Sequence, residues 1–594
     1  DTLEVPQPMA DIAESGQKLV ADFLARRSGS PPGSDPGDPG SMDPYNIGGA
    51  FIEMTTRMMA DPAKMIEANM SLWQDYLNLW QSTSTRMMGG EVEPTATPED
   101  GDRRFTDASW SDNDVFDYIK QSYLLTSRWL QSTVTGVEGL DAKDAQKVDF
   151  YTRQFIEALS PNNFVLTNPQ VLAATAETGG ENLINGLKNL LNDMDEGRLR
   201  IRMTDEDAFE VGGNVAESTG KVVYRNDLIE LLQFDPLTKM VSQRPLLIIP
   251  PWINKFYILD LTERNSFIRW LVSQGQTGFV VSWRNPGPAQ KETGWDDYMK
   301  LGPLAAIDAV TEATGEEQMN AIGYCIGGTL LGSTMAWLEK KNRNPIISTT
   351  YLTTLLDFSD PGGIGVFIND HSIRGIERAM ERKGYLDGRA MAFTFNLLRE
   401  NDLFWSYWTN NYLKGLKPAA FDLLYWNTDG TNLPYRMHSY YLREMYLHNR
   451  LVQPDALTMN GETINLSEIR VPSFFLSARQ DHIAKWKTTY HGAHAYGGDV
   501  RFVLSGSGHI AGVINPPYKK KYGFWTNNTL PEDPDAWFSG AEQHPGSWWP
   551  YWREWIAGYE GDQVPARQPG EGKLEVIEDA PGSYVKVKAA DAGH

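Results

Sequence analysis

The chain has 594 residues, of which 41% are hydrophobic and 22% are charged, a composition that predicts a globular protein with a large core and two or more domains. Its 54 Lys and Arg residues against 77 Asp and Glu residues give a formal net charge of −23, so we expect no binding to nucleic acid or to an anionic membrane surface. The single cysteine excludes an internal disulfide and a zinc site built from a cysteine cluster, and the lack of any apolar stretch of about 18 residues predicts no transmembrane segment.

Residues 1–50 are predicted to be a flexible N-terminal segment. Residues 1–27 are typical of a short polar helix, and residues 28–46 are rich in Pro, Gly, Ser and Asp, which is typical of a disordered linker. No basic stretch followed by an apolar one occurs here, so we expect no signal peptide. Together with the lone cysteine, this predicts a protein of the reducing cytoplasm.

Residues 51–200 are predicted to form a mostly helical N-terminal domain. Its first helix should begin at Asp61-Pro62. Apolar residues then recur at helical spacing: Met65, Ile66, Met70, Trp73, Tyr76, Leu77 and Trp80. Such a stripe usually packs on its own domain, which is the interpretation we favour, but a Met-rich amphipathic helix also suits contact with a partner or an apolar particle.

Residues 201–594 are predicted to form a catalytic α/β domain. A hairpin over residues 211–224 should open it, and short apolar strands separated by helical segments then favour a parallel sheet covered on both faces. The alternation stops over residues 357–434, which are rich in aromatic residues. We expect this insertion to be a helical cap over the strand ends, where α/β folds carry their sites.

A strand, a sharp turn and a helix are predicted over residues 319–341, with the sequence G-Y-C-I-G at the turn. Small residues two positions before and after a nucleophile are typical of a nucleophile elbow, here with Cys325 as the nucleophile. A buried structural thiol is the alternative, since cysteine is often buried. The strand before and the helix after Cys325 favour the catalytic interpretation and predict an α/β-hydrolase fold with a helical cap insertion.

The order nucleophile, acid, histidine that this fold requires is present downstream. Asp481 follows a predicted strand at 472–477, and His509 lies in a Gly- and Ser-rich turn after a predicted strand at 500–504. His482 is a competing base, but beside Asp481 on an extended backbone it would point the other way, so we expect a structural role for it.

The oxyanion hole is predicted to consist of two backbone N–H groups. One is that of Ile326, and the other comes from the loop after the first strand, with Ile253 as our choice.

A thiol nucleophile indicates what kind of reaction to expect. If the substrate is a thioester, attack by Cys325 yields another thioester of similar energy, so the acyl group stays activated and can pass to an alcohol. This favours acyl transfer over hydrolysis, and an aromatic cap would keep water from the acyl-cysteine.

From about Arg103 onward the sequence resembles class I polyhydroxyalkanoate synthases. The resemblance is carried by the strings D-R-R-F-T-D-A-S-W (102–110), S-P-N-N-F-V-L-T-N (160–168), P-P-W-I-N-K-F-Y (250–257), G-Y-C-I-G-G (323–328), Y-W-N-T-D (425–429), D-H-I-A (481–484) and G-H-I-A-G-V-I-N-P-P (508–517). Residues 1 to about 100 match the family only loosely.

The resemblance implies a cytoplasmic enzyme at the surface of polyester inclusions. Such an enzyme polymerises (R)-3-hydroxyacyl-CoA and releases CoA. Cys325 would carry the acyl group, His509 would activate Cys325, and Asp481 would either deprotonate the 3-hydroxyl of the incoming unit or orient His509. The resemblance implies no metal and no cofactor, since coenzyme A is part of the substrate.

Further features of the family are also implied. Trp426 is linked to dimer formation or packing, so a homodimer is expected. Arg399 and Asn254 are candidates for binding substrate or CoA, with a surface salt bridge as the alternative role of Arg399. Ala511-Gly512 is similar to the short-chain class, which favours 3-hydroxybutyryl-CoA. Partners would be the growing polyester, the granule surface and granule-associated proteins.

Two other functions stay open. A cysteine-dependent hydrolase or thioesterase of the same fold would carry the same residues, although the long cap argues against it. A granule-surface binding protein with an inactive hydrolase domain would use the Met- and Trp-rich helix, although the intact Cys325, Asp481 and His509 argue against that.

Overall fold

The structure is a computed structural model that describes residues 53–54, 57, 62–99, 102–195, 198–199, 201–397 and 404–592. The predicted flexible segment, residues 1–50, lies outside the described residues. The chain forms two compact units. The helical unit comprises residues up to 205 together with 396–419, and the sheet unit comprises residues 206–395 and 420–594. The segment predicted as a cap is therefore divided between the two units.

The helical unit is built from helices whose starts follow from residue type. Asn113, Asp141 and Asn168 each accept hydrogen bonds from backbone N–H groups of the first helical turn, as N-cap residues do. Its main helices are α1 (Pro62–Met87), α2 (Ser109–Asp112), α3 (Asp114–Thr135), α4 (Ala142–Ala158), α5 (Pro169–Glu177) and α6 (Glu181–Asn192).

Helix α1 has two apolar faces with different surroundings. One face packs on its own unit: Leu79 is fully buried, and the Tyr76 hydroxyl lies 2.7 Å from Thr126 Oγ1 of α3. The other face is exposed, with side chains that are 52–71% accessible among the described residues: Ile66, Met70, Trp73, Leu77 and Trp80. The buried face therefore packs on its own domain, as we favoured, and the exposed face is the one that suits contact with a partner or an apolar particle.

The aromatic residues of the predicted cap are divided in the same way. Phe404, Trp405, Tyr407, Trp408 and Tyr412 belong to the helical unit. There the Tyr412 hydroxyl donates to Asp193 Oδ2 at 2.8 Å, and α6 approaches so closely that a Cβ at Gly186 would lie 1.8 Å from the Tyr412 carbonyl oxygen. That these residues cover the strand ends stays a prediction.

The sheet unit is organised around one mixed sheet of eleven strands. The strands are β1 (Gly220–Arg225), β2 (Ile229–Phe234), β3 (Leu246–Ile249), β4 (Gly278–Trp283), β5 (Met319–Tyr324), β6 (Ile346–Leu352), β7 (Ser473–Ala478), β8 (Val500–Ser505), β9 (Phe524–Thr526), β10 (Glu542–His544) and β11 (Glu578–Asp579). Their order is 10-9-8-7-6-5-3-4-2-1-11. Strands β3 to β8 are mutually parallel, and the strands outside them are antiparallel.

The parallel core confirms the predicted α/β fold, and the reason is visible along β3. Leu247 and Ile249 belong to one hydrophobic cluster and Leu246 and Ile248 to another, so both faces of the sheet are covered. A strand buried on both faces has no polar side, which explains its continuous apolar sequence.

The predicted opening hairpin over residues 211–224 is wrong in position. Residues 211 and 215 form only an isolated bridge, and the hairpin is made by β1 and β2 instead. Asn226 forms the turn by accepting from the N–H groups of Leu228 and Ile229, both at 2.9 Å. The turn therefore lies after residue 224, beyond the predicted range, because an asparagine side chain can form a turn without glycine.

The remaining helices flank the sheet or follow β6. They are α7 (Phe267–Ser273), α8 (Trp295–Met299), α9 (Ala305–Thr314), α10 (Ile326–Lys340), α11 (Asp370–Lys383), α12 (Gly388–Leu397), α13 (Asp422–Thr428), α14 (Tyr435–Tyr440), α15 (Trp486–His494), α16 (Pro534–Ser539) and α17 (Trp549–Ile556). Short two-stranded ladders pair 194–195 with 198–199, 240–242 with 563–565, 385–386 with 433–434 and 457–459 with 462–464. Among the described residues, none of the helices combines the length and apolar character needed to cross a bilayer.

Trp552 of α17 offers a test of this packing. Its side chain is fully buried, and its indole N–H donates to Thr350 Oγ1 of β6 at 2.9 Å. We expect Trp552→Ala to lower the free energy of unfolding by about 3–5 kcal/mol, because it leaves a cavity and an unpaired hydroxyl. Urea denaturation followed by circular dichroism measures the change.

The matched control is Trp73→Ala, which removes the same side chain from a position that is 71% exposed. It should change the free energy of unfolding by less than about 0.5 kcal/mol. Equal losses in the two variants would contradict the packing described for α17.

Candidate active site

Cys325 lies on the sharp turn between β5 and α10, as predicted. Its backbone has φ of +53° and ψ of −127°, a strained conformation for a residue with a side chain. The glycines around it leave room for this turn: a Cβ at Gly323 would lie 2.4 Å from Gly328 Cα, and a Cβ at Gly327 would lie 2.3 Å from the Ile249 carbonyl oxygen. The turn therefore requires glycine at both positions and presents Cys325 at the end of the central strand.

Asp481 and His509 meet beside this turn although 27 residues separate them in the chain. Each follows the carboxyl end of a parallel strand, β7 and β8, and these strands are neighbours in the sheet. His509 Nδ1 lies 2.6 Å from Asp481 Oδ2, and both residues are buried. The other oxygen, Oδ1, accepts from the N–H groups of Ile483 at 2.8 Å and Ala484 at 2.9 Å, so the carboxylate is fixed in orientation.

The charges around His509 determine its protonation. Burial by itself lowers the pKa of His509, but the charges of Asp481 and Cys325 and hydrogen bonds to both outweigh burial and raise the pKa to about 10. Because Nδ1 faces Asp481, Nε2 is the nitrogen left for the thiol. The arrangement is that of a nucleophile, a base and an orienting acid.

The two backbone groups predicted for the oxyanion hole have no acceptor within the described chain. Neither the Ile326 N–H, at the first residue of α10, nor the Ile253 N–H donates a hydrogen bond to another described residue. The loop that carries Ile253 starts beside the turn, since a Cβ at Gly327 would lie 2.6 Å from the Pro250 carbonyl oxygen. That both donors converge on one substrate oxygen stays a prediction.

The other residues proposed from the sequence lie in different surroundings. His482 is half-buried, and its carbonyl accepts from the Gly363 N–H at 3.4 Å. Asn254 uses its amide N–H₂ on the carbonyls of Trp426 and Asn427, at 3.3 and 3.4 Å. Contact between Asn254 and substrate stays a prediction, and Arg399 lies outside the described residues.

Trp426 is buried in the sheet unit. Its indole N–H donates to the Lys255 carbonyl at 2.7 Å, which ties α13 to the loop that carries Ile253. This is a packing role within one chain, and a role in a dimer stays a prediction.

Three tyrosines near Cys325 and His509 were not predicted. Burial raises the pKa of Tyr441 and Tyr446, and the charge of Cys325 adds to the shift, which indicates that both phenols lie near the thiol. Tyr324 stacks on the His509 ring, with 6.0 Å between ring centroids. Tyr441 and Tyr446 follow the segment that we predicted as the cap, and nothing in their spacing distinguishes them from ordinary core aromatics.

No group of three or more His, Cys, Asp and Glu side chains is arranged to hold a metal ion in the described part of the chain.

Family models match two overlapping parts of the chain. Residues 101–271 match the family described as the N-terminus of poly-beta-hydroxybutyrate polymerase (PhaC), and residues 245–516 match the alpha/beta hydrolase fold. Among solved structures, a monoacylglycerol lipase of Paleococcus ferrophilus covers 47% of this chain and 90% of its own with 14% identity and a TM-score of 0.29, too weak a likeness to carry an argument.

Similarity to curated proteins extends over nearly the whole chain. The poly(3-hydroxyalkanoate) polymerase of Methylorubrum extorquens is 46% identical over 97% of this chain and 98% of its own length. The corresponding polymerase subunits of Rhizobium meliloti and Cupriavidus necator are 43% and 42% identical, over 98% and 89% of this chain and 94% and 89% of their own. The chain therefore belongs to the poly(3-hydroxyalkanoate) polymerase family, whose members are acyltransferase-type synthases built on the α/β-hydrolase fold.

Proposed function

We propose that this protein polymerises (R)-3-hydroxyacyl-CoA into a polyester and releases CoA through an acyl-cysteine intermediate. The observation that carries the proposal is a cysteine on a strained turn beside a buried, hydrogen-bonded Asp481–His509 pair. The names of the full-length relatives support a poly(3-hydroxyalkanoate) product.

Acylation starts with transfer of the thiol proton of Cys325 to His509 Nε2. The thiolate attacks the thioester carbonyl, and the negative charge that develops on the oxygen is stabilised by the N–H groups of Ile326 and Ile253. When the carbon–sulfur bond to CoA breaks, the CoA thiolate takes the proton from His509. One thioester replaces another, so the acyl group remains reactive.

Elongation requires the 3-hydroxyl of one unit to attack an acyl-cysteine. Asp481 could act directly on that hydroxyl or act through His509. Both of its oxygens already accept hydrogen bonds, Oδ2 from His509 and Oδ1 from two backbone N–H groups. This supports the second role, in which His509 removes the hydroxyl proton and Asp481 orients the imidazole.

A short acyl chain, 3-hydroxybutyryl, is our proposed substrate. The matching N-terminal family is described as a poly-beta-hydroxybutyrate polymerase, and Ala511-Gly512 follows the catalytic histidine. A Cβ at Gly512 would lie 2.7 Å from Ser505 Oγ and 2.8 Å from Ala478 Cβ, so position 512 has no room for a larger residue.

The proposed location is the surface of polyester inclusions in the cytoplasm. The exposed stripe of α1, formed by Ile66, Met70, Trp73, Leu77 and Trp80, supports it, since a row of large apolar side chains loses water when it meets an apolar polymer. The growing polyester and granule-associated proteins are the proposed partners, with a homodimer as the proposed assembly.

The reaction itself is tested by giving purified protein (R)-3-hydroxybutyryl-CoA and following CoA release, turbidity and free hydroxy acid together. We expect CoA release with turbidity and little free acid, because the acyl group passes to a hydroxyl and not to water. Cys325→Ala should abolish CoA release. An amount of free acid equal to the released CoA would indicate a thioesterase. A binding protein would release no CoA, and its binding to granules would be the same in Cys325→Ala as in the unmodified chain.

Asp481→Asn tests the electrostatics of the triad. The charge of Asp481 helps raise the pKa of His509 to about 10, so its loss should move that pKa down toward the ordinary value of about 6.5. His509 then holds the thiol proton less well at neutral pH. We expect CoA release to fall by about 10²–10⁴-fold, as in other triads that lose the acid.

Alkylation of the single cysteine by iodoacetamide measures the same change directly. In Asp481→Asn the alkylation rate at pH 7 should fall, because His509 holds less of the thiol proton and less thiolate is present to react. An alkylation profile identical to that of the unmodified chain would contradict the proposed proton transfer.

Polymer association is tested by Trp73→Glu with Trp80→Glu, which places two charges on the exposed stripe. We expect this variant to remain in the supernatant when polyester particles are sedimented, with CoA release intact. The control is Gln74→Glu with Asn78→Asp, which adds the same charge at exposed positions beside the stripe. Equal retention of both variants on the particles would contradict a role of the stripe.

A further inference from the structure

The loop that carries the Ile253 N–H is joined to residues 426–431 by a series of hydrogen bonds to its backbone carbonyls. Thr431 N–H donates to the Ile253 carbonyl at 2.9 Å, and the Thr431 hydroxyl lies 3.2 Å from the same oxygen and also contacts the Trp252 carbonyl. The Trp426 indole donates to the Lys255 carbonyl at 2.7 Å. Three of the four carbonyls between residues 252 and 255 are therefore held by this one segment.

The contact with Trp252 determines the direction of the Ile253 N–H. The Trp252 carbonyl and the Ile253 N–H belong to one planar peptide group, in which they point in opposite directions. Because the Thr431 hydroxyl binds the carbonyl side, the N–H is directed away from Thr431. Rotation of this peptide group would break the hydrogen bond from the hydroxyl of Thr431, which is itself 2% exposed.

A buried ion pair holds the same two segments together. Lys255 Nζ lies 3.7 Å from Asp429 Oδ1 and donates to the carbonyls of Val585 and Val587 at 2.6 and 2.7 Å. Asp429 Oδ2 accepts from the Tyr257 hydroxyl at 2.8 Å. Asp429 lies two residues before Thr431 on one segment, and Lys255 lies two residues after Ile253 on the other.

Burial of Lys255 carries an electrostatic cost that the charge of Asp429 only partly offsets, and Asp429 Oδ1 also lies 3.4 Å from Lys588 Nζ. Burial lowers the pKa of Lys255 to about 8, although the charge of Asp429 opposes the shift. A hydrophobic pair would cover the same volume without this cost, and buried ion pairs are best explained where they fix one register.

We propose that Thr431 is a positioning residue for oxyanion stabilisation, holding the Trp252–Ile253 peptide group so that the Ile253 N–H faces the developing charge, with the Lys255–Asp429 pair keeping the two segments in register. The proposal rests on the proposed function of the Ile253 N–H. Thr431 acts through the backbone of another residue and does not touch the substrate.

Thr431→Val tests this, because it removes the hydroxyl and keeps the shape. We expect single-turnover CoA release from (R)-3-hydroxybutyryl-CoA to fall by about 10–100-fold, since loss of a whole oxyanion donor typically costs about 10²–10³-fold. Alkylation of Cys325 by iodoacetamide forms no oxyanion, so its rate should stay within about twofold. Thr431→Ser restores the hydroxyl and should restore CoA release.

Thr334→Val is the matched control, since Thr334 is fully buried and its hydroxyl donates to the Leu330 carbonyl at 2.8 Å. Both rates should remain near those of the unmodified chain. Equal loss of acylation and alkylation in Thr431→Val, or no loss of acylation, would overturn the proposal. If Thr431→Val does not fold, the rates of CoA release and of Cys325 alkylation are measured in Asp429→Asn instead, with the same outcomes expected.

Failure of the proposed function is recognisable in the unmodified chain. If that chain releases no CoA from (R)-3-hydroxybutyryl-CoA, the proposed short-chain polymerase activity fails. The Thr431 variants are then compared with p-nitrophenyl butyrate, an activated ester whose attack by Cys325 also passes through an oxyanion. A selective loss of p-nitrophenolate release in Thr431→Val would still support the positioning role, and its absence would overturn it.

Discussion

The backbone turn at Cys325 is the constraint on which the rest of the site depends. Its positive φ requires outside support, and the Cys325 N–H provides part of it by donating to the Leu352 carbonyl at 2.9 Å, while the Gly328 N–H donates back to the Cys325 carbonyl at 2.9 Å. The turn therefore needs β6 on one side and α10 on the other. A sheet that slipped in register would lose both the turn and the nucleophile.

The parallel strands then determine where the charges meet. Their carboxyl ends lie at one edge of the sheet. Asp481 and His509 each follow one of two neighbouring strands, so the pairing of these strands is enough to bring them together. Within this buried edge a carboxylate and a sulfur raise the pKa of the imidazole, although burial alone would lower it.

The proposed oxyanion stabilisation by the Ile253 N–H depends on a different kind of contact. The Ile253 N–H lies on a loop, and a loop peptide can rotate unless its carbonyls are bound. Thr431 and Trp426 bind three of them from a segment more than 170 residues away in the chain. The Lys255–Asp429 pair links the same two segments, and Lys255 also donates to the carbonyls of Val585 and Val587, so three distant parts of the sequence meet at this loop.

The parallel strands, the turn at Cys325 and the pair Asp481 and His509 could be predicted from the amino-acid sequence, because each depends on a local pattern in which an apolar strand is followed by a turn carrying a polar residue. The antiparallel edge strands, the division of the cap residues and the surroundings of Tyr441, Tyr446 and Thr431 were decided only by the tertiary structure. Contacts to backbone carbonyls leave no trace in residue type, since every residue has a carbonyl. Which threonine or lysine binds which carbonyl is therefore decided by packing between segments that are far apart in the chain.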